Sequence, residues 1–246
     1  MEHAWADWAG MAAAVLAAYT VFGLTGFGSA VVGVPILVHF VPLTFAVPLV
    51  LLLDLVSTLA VGALNWRQVE RAELLRLLPS MLVGIAAGVT LLVSVEQRWL
   101  LLALGIFVLL NALWNLARRA PSQPVSAWWS VPAGAAGGVF SALFGTGGPI
   151  YTTYLARRVE GAGFRATISC IILMSALVRL VTFGSTGLLQ QPGLFLHWLW
   201  LLPVCALGVF AGSKLRARLP PARLRQGLFL LLALSGAGVI ARALGS

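Results

Sequence analysis

Apolar residues in this chain neither alternate nor recur at the spacing of one helix face. They run on almost without interruption and are cut by short polar gaps. The apolar segments fall at about 10–25, 27–41, 44–64, 77–95, 98–117, 128–144, 148–157, 166–184, 195–213 and 224–244. Several approach the ~20 residues that a helix needs to cross a bilayer. Membrane-spanning strands would show alternating segments of about ten residues. Runs such as Phe45–Leu53 and Trp99–Leu110 are continuous instead. The pattern therefore predicts an all-α, polytopic membrane bundle.

The ordered segments come in two similar halves. A shift of 114 residues places Gly23 on Gly137, Gly33 on Gly147, Pro35 on Pro149 and Ile36 on Ile150. A shift of 124 places Leu77-Leu78-Pro79 on Leu201-Leu202-Pro203, Gly84 on Gly208 and Ala87-Gly88 on Ala211-Gly212. The expected organisation is a first repeat over 1–117, a polar linker over 118–127 and a second repeat over 128–246. Each half also holds a glycine-rich break, Gly23–Ser29 in the first and Gly145–Pro149 in the second. Glycine permits a sharp turn there, and proline interrupts the helical ladder. Non-helical backbone at membrane depth is tolerated only where protein or a wet cavity surrounds it. Matched breaks in two halves are the sequence feature that points to a transport site. For a single glycine, close helix packing is the competing explanation.

Composition agrees with the pattern: 60% of residues are hydrophobic and only 9% are charged, against about a quarter charged in soluble domains. The net charge of +9 does not read as a nucleic-acid surface, because the basic residues cluster in the gaps. Arg67, Arg71 and Arg76 follow the third segment, Arg118 and Arg119 lie in the linker, and Arg157, Arg158 and Arg165 follow the seventh. Lys214, Arg216, Arg218, Arg223 and Arg225 follow the ninth. Placing these gaps in the cytoplasm puts both termini outside and the linker inside. The two halves then have opposite orientations, provided that 10–41 and 128–157 each return to their side of entry, as two full spans or as re-entrant hairpins. The N-terminal stretch lacks the basic region of a cleaved signal peptide. Cys170 and Cys205 sit in apolar runs and read as small buried side chains, so no metal site is expected.

Candidate chemistry concentrates at the breaks. Helices starting after them would aim backbone amides at an anion, with Thr25, Ser29 and Thr146 as further donors. The binding candidates are Gly26, Gly28, Ser29, Gly33, Gly145, Thr146, Gly147, Gly148 and Arg179. Asp54 and Arg179 are charges set within apolar runs, and such residues face a cavity or a partner. Arg179 reads as an anion ligand, as a structural partner of Asp54, or as a side chain that snorkels to the outer interface. Asp54 reads either as a protonatable coupling site or as a structural hydrogen-bond acceptor. Ser57, Thr58, Asn111, Asn115, Ser169 and Ser175 are further cavity or helix-bridging candidates. His39 and His197 lie near segment ends and read as interfacial, as do several tryptophans.

The runs GLTGFGSAVVGVPIL, AVPLVLLLDLVSTLAVGALNW and LLPSMLVGIAAG, with GAAGGVFSALFGTGGPI and FRATISCIILMSALVRLV in the second half, resemble the TauE/SafE sulfite exporter family. That resemblance spans nearly the whole chain. It implies a multi-pass inner-membrane permease for sulfite, sulfoacetate or related organosulfonates, with export the direction most associated with the family. The expected partners are a small anion and the lipid bilayer, with self-association left open. No cofactor is expected, and no nucleotide-binding loop is present for direct ATP coupling. An anion channel and an intramembrane enzyme using Ser29, with His39 or His197 as base, are the alternatives.

Overall fold

The structure is a computed structural model that describes residues 2–26, 28–61, 66–117, 124–216 and 233–244. All regular elements among them are helices. In chain order they are α1 (Glu2–Thr25), α2 (Ser29–Leu37), α3 (Leu43–Val61), α4 (Arg71–Ser94), α5 (Gln97–Ala117), α6 (Ser130–Phe144), α7 (Gly148–Leu155), α8 (Gly161–Ser185), α9 (Leu194–Arg216) and α10 (Ala233–Leu244). Each apolar segment read from the sequence contains one of them. Asp7–Thr25 of α1, α4, α8 and Leu194–Leu215 of α9 are long and apolar enough to cross a membrane. Large apolar side chains such as Val83, Leu110, Val181, Leu199 and Phe210 are exposed on the flanks, as they must be where lipid is the solvent. Arg118, Arg119, Arg218, Arg223 and Arg225 lie outside the described residues.

Both glycine-rich segments break a helix. α1 stops at Thr25 and Gly26 takes φ 83°; α6 stops at Phe144 and Gly145 takes φ 70°. A left-handed glycine ends a helix without a Cβ penalty. Its amide still bonds back, Gly26 to the Phe22 carbonyl at 2.7 Å and Gly145 to the Ser141 carbonyl at 2.8 Å. The returning helices α2 and α7 have 9 and 8 residues. At 1.5 Å per residue they rise about 12–14 Å, less than half of the ~30 Å hydrocarbon core. Each folds back along its predecessor: Gly33 of α2 abuts Ala18 of α1, and Gly137 of α6 abuts the Tyr151 ring of α7. By length, neither returning helix alone recrosses the hydrocarbon core.

The helix ends set a register different from the one drawn from sequence. α6 ends 119 residues after α1, and α7 starts 119 residues after α2. Gly33 and Pro35 consequently lie within α2, whereas Gly147 and Pro149 stand at the start of α7. The similar Gly-x-Pro-Ile quartets serve different local ends.

Two long crossings frame the bundle, α1 on α9 and α4 on α6. Both are stitched by glycine against backbone, the device that lets membrane helices approach closely. Gly84 faces Ala135 and Gly138, and Gly88 faces Val139 and Ala142. Gly208 faces Leu16 and Tyr19, and Gly212 faces Thr20 and Gly23. Shifting α1 by 119 and α4 by 124 converts each of these contacts into its counterpart. Inside the frame, α3 and α8 pack on each other, on the short helices, and on α9 and α4 respectively.

A polar network marks one end of the bundle. The Glu73 carboxylate accepts hydrogen bonds from Arg76 Nη1 at 2.6 Å, Arg158 Nη2 at 2.7 Å and the Tyr154 hydroxyl at 2.6 Å. Arg158 Nη1 also reaches the Val125 carbonyl at 3.1 Å. The neighbouring carboxylate holds Arg158 in its charged form by raising its already high pKa. The basic gaps at 65–76 and 157–165 and the end of the linker thus share one end. At the other end, Gln191 donates to the Thr44 carbonyl at 2.7 Å, and His197 stacks on Trp8.

Candidate functional site

The two breaks meet around one small cavity of about 40 Å³, room for a few water-sized groups. Gly28 and Ser29 open α2 on one side, and Gly145, Gly148 and Pro149 cross from α6 to α7 on the other. Asp54 and Thr58 line it from α3, Ser175 and Arg179 from α8, and Tyr151 from α7. Neither α2 nor α7 has a side-chain cap on its first turn. The positive dipole ends of both helices thus lie at this region, with the Asp54 carboxylate beside the head of α2.

Arg179 is only 4% exposed. Its Nη1 donates to the Ser141 carbonyl at 3.1 Å and its Nε to the Ser175 carbonyl at 3.4 Å. The guanidinium is thereby pinned against the end of α6, where it shares the Ser141 carbonyl with the Gly145 amide. Asp54 sits across the cavity, and no ion pair joins it to Arg179 among the described residues. Its Oδ1 accepts instead from the Tyr19 hydroxyl at 2.7 Å and the Ser29 hydroxyl at 2.6 Å. Two hydroxyls are left over. Tyr151 Oη and Ser175 Oγ are buried near each other and near Ser141, and neither makes a hydrogen bond of good geometry among the described residues. Buried polar groups are seldom left so, and both belong to residues that line the cavity.

Of the residues singled out from sequence, Gly28, Ser29, Gly145, Gly148, Arg179, Asp54, Thr58 and Ser175 come together here. Gly26, Gly33, Thr146 and Gly147 do not line the cavity. Gly33 packs on Ala18, while a Cβ on Gly147 would meet Ser141 Oγ and the Gly137 carbonyl. The Thr146 hydroxyl turns back to the Phe140 carbonyl at 3.5 Å, and the Thr25 hydroxyl to Val21 at 2.9 Å. Ser57 bonds the Leu53 carbonyl at 2.9 Å and lies 3.0 Å from the Cys205 sulfur. Asn111 lines a separate groove. Both cysteines are buried and free. Neither histidine reaches Ser29; His39 pairs with the Pro35 carbonyl and His197 with that of Gly193. Tyr151 was not anticipated. Its place one turn after the second break was the available signal.

Comparison with known proteins agrees with this architecture. The family described as "Sulfite exporter TauE/SafE" matches residues 11–239. The chain belongs to the TauE/SafE family. A member-like relative, the "Probable inner membrane transporter protein TsaS" of Comamonas testosteroni, is 31% identical over 190 residues, 76% of this chain and 80% of the relative. No solved structure matches. TauE/SafE membership and the TsaS relative support a membrane transporter.

Proposed function

We propose that this chain is a secondary transporter for small sulfur-containing oxyanions, sulfite or sulfonates such as sulfoacetate, in the inner membrane. One observation carries the reading. Two half-length helices begin at breaks facing a single cavity that also holds a buried guanidinium and two unpartnered hydroxyls. Such donors suit a tetrahedral or pyramidal oxyanion, because the planar fork of Arg179 can hold two oxygens. Tyr151 and Ser175 supply neutral donors, and the first turn of α2 and the Gly148 amide of α7 supply backbone donors. Gly28, Ser29, Gly145 and Gly148 let the ligand approach the backbone. Gly26, Thr146 and Gly147 shape the turns behind it.

The contact correspondence between α1–α9 and α6–α4 supports two repeats related by a pseudo-two-fold axis in the membrane plane. In such folds one repeat rocks against the other around a fixed site, and that is the mechanism we assign. The clustering of basic gaps at the Glu73 end supports a cytoplasmic location for that end, with both termini outside. Reporter fusions in the 65–76 and 214–225 loops should both report the cytoplasm; a periplasmic report from either one contradicts this topology.

The direct test is reconstitution in proteoliposomes with a panel of sulfur oxyanions. Export from the cytoplasmic face should be saturable, and unlabelled anion on the far side should accelerate exchange of labelled anion. Flux that rises linearly with concentration and shows no counterflow would identify a channel instead.

A further inference from the structure

We propose that Asp54 is the proton-binding site of the carrier, and that anion and proton cross together. This rests on the transport reading above. Asp54 shares with the anion a cavity of about 40 Å³. In its charged form it brings a fixed negative charge within a few ångströms of any bound oxyanion. It also draws the Ser29 hydroxyl, at the head of α2, to its own Oδ1 at 2.6 Å. An ionised Asp54 is thus a tethered anion competing for the helix end that the substrate needs. Protonation removes both obstacles. The cavity then presents Arg179 with no opposing charge. Linkage is reciprocal: if the proton strengthens anion binding, the anion strengthens proton binding by the same factor.

The surroundings of Asp54 are built to accept both states. The Tyr19 hydroxyl lies 2.7 Å from Asp54 Oδ1 and 3.2 Å from the Val50 carbonyl. One hydroxyl proton can serve only one of these at a time. With Asp54 ionised it goes to the carboxylate. With Asp54 protonated it can turn to Val50, so that Tyr19 or Ser29 accepts from the new carboxyl O–H. No donor is orphaned by the change. The other titratable or charged groups around it are Tyr19 from α1, Tyr151 from α7, Arg179 from α8 and Cys205 from α9, while α2 presents only Ser29. Phenols, thiols and guanidinium ordinarily keep their protons near neutral pH, which leaves Asp54 as the group that exchanges one. The proton balance is simple: one proton binds an Asp54 oxygen on one side and leaves it on the other, with no other bond made or broken. Net direction follows the sum of the anion, proton and potential gradients.

The test uses the full chain in proteoliposomes, with the membrane potential clamped to zero. A sulfonate is the preferred probe, because it carries no proton of its own near neutral pH. External acid should drive sulfonate accumulation in the wild type, with interior acidification reported by a trapped pH dye. In Asp54→Asn the ratio of pH-driven accumulation to counterflow should fall by at least about tenfold. Where sulfite is the anion moved, D54N is the baseline that removes the contribution of bisulfite. Counterflow without pH-driven accumulation in the wild type overturns the inference and leaves the transport reading standing. So does a ratio in D54N equal to that of the wild type. Absence of counterflow for every sulfur anion overturns both. If D54N loses all counterflow, Ser29→Ala and Tyr19→Phe decide: each removes one donor to the carboxylate, and a shifted pH midpoint supports the proposal, whereas an unchanged midpoint in both overturns it.

Discussion

Arg179→Ala is expected to reduce anion flux at least about 100-fold while the protein still accumulates in the membrane. A hydrogen bond to a charged group contributes about 1.5–3 kcal/mol, and a forked guanidinium offers two to one oxyanion. A loss near 3 kcal/mol corresponds to roughly two orders of magnitude. The structural cost should be smaller. The Ser141 carbonyl that receives Arg179 Nη1 also receives the Gly145 amide at 2.8 Å, so the end of α6 stays capped when the arginine is gone. No ion pair to Asp54 is broken. Arg179→Lys keeps the charge and loses the planar fork; its flux should fall between that of alanine and wild type. Assay by initial rates of labelled anion counterflow separates these outcomes. If R179A retained more than half of the wild-type rate, Arg179 would drop out of the site. The anion would then be held by the helix ends and hydroxyls alone.

The fold was legible because lipid imposes a coarse rule on sequence. Continuous apolar runs bounded by arginines can be little else than helices, and each run read from the chain contains a helix. The breaks were equally visible, since only glycine supplies the left-handed conformations found at Gly26 and Gly145. The register inside the hairpins was not visible. Gly33-Val34-Pro35-Ile36 and Gly147-Gly148-Pro149-Ile150 look alike, but one lies mid-helix against Ala18 and the other begins a helix. Residue type records that a side chain is missing; it does not record whether a turn or a neighbouring helix requires the space. Tyr151 escaped for a related reason. An aromatic residue in a membrane segment reads as packing, and only the packed structure shows its hydroxyl buried without a partner. Asp54 and Arg179 stood out as charges in apolar runs. That they share a cavity without touching could not be read from their spacing of 125 positions.

Helix crossing by small residues should be the most sensitive structural feature of the bundle, and sensitive in pairs. A Cβ at Gly138 would collide with the Met81 carbonyl oxygen, and one at Gly212 with that of Thr20. Both obstacles are backbone, so no rotamer change relieves them. Lipid is as apolar as the helix surface, so close packing rather than water exclusion holds these crossings together. Separating them forfeits the packing directly. Gly138→Leu and Gly212→Leu should each cost at least the about 1–3 kcal/mol typical of overpacking, or about 2–12 °C in midpoint for a chain of this size. The two buried free thiols, Cys170 and Cys205, provide the readout, since a thiol-reactive dye reports their exposure on heating. Gly184→Ala is the control. The atom nearest to a Cβ there is Leu189 Cδ1, at 3.9 Å, and its midpoint should stay within about 2 °C of wild type. The comparison between the two leucine variants carries more than either alone. Gly138 belongs to the α4–α6 crossing and Gly212 to α1–α9, the pair that the repeat relation exchanges. Similar losses are expected if the crossings are equivalent supports around the cavity. If one variant melts early and the other is indifferent, the crossings are not equivalent, and rocking of one repeat against the other would have to pivot on a single helix pair.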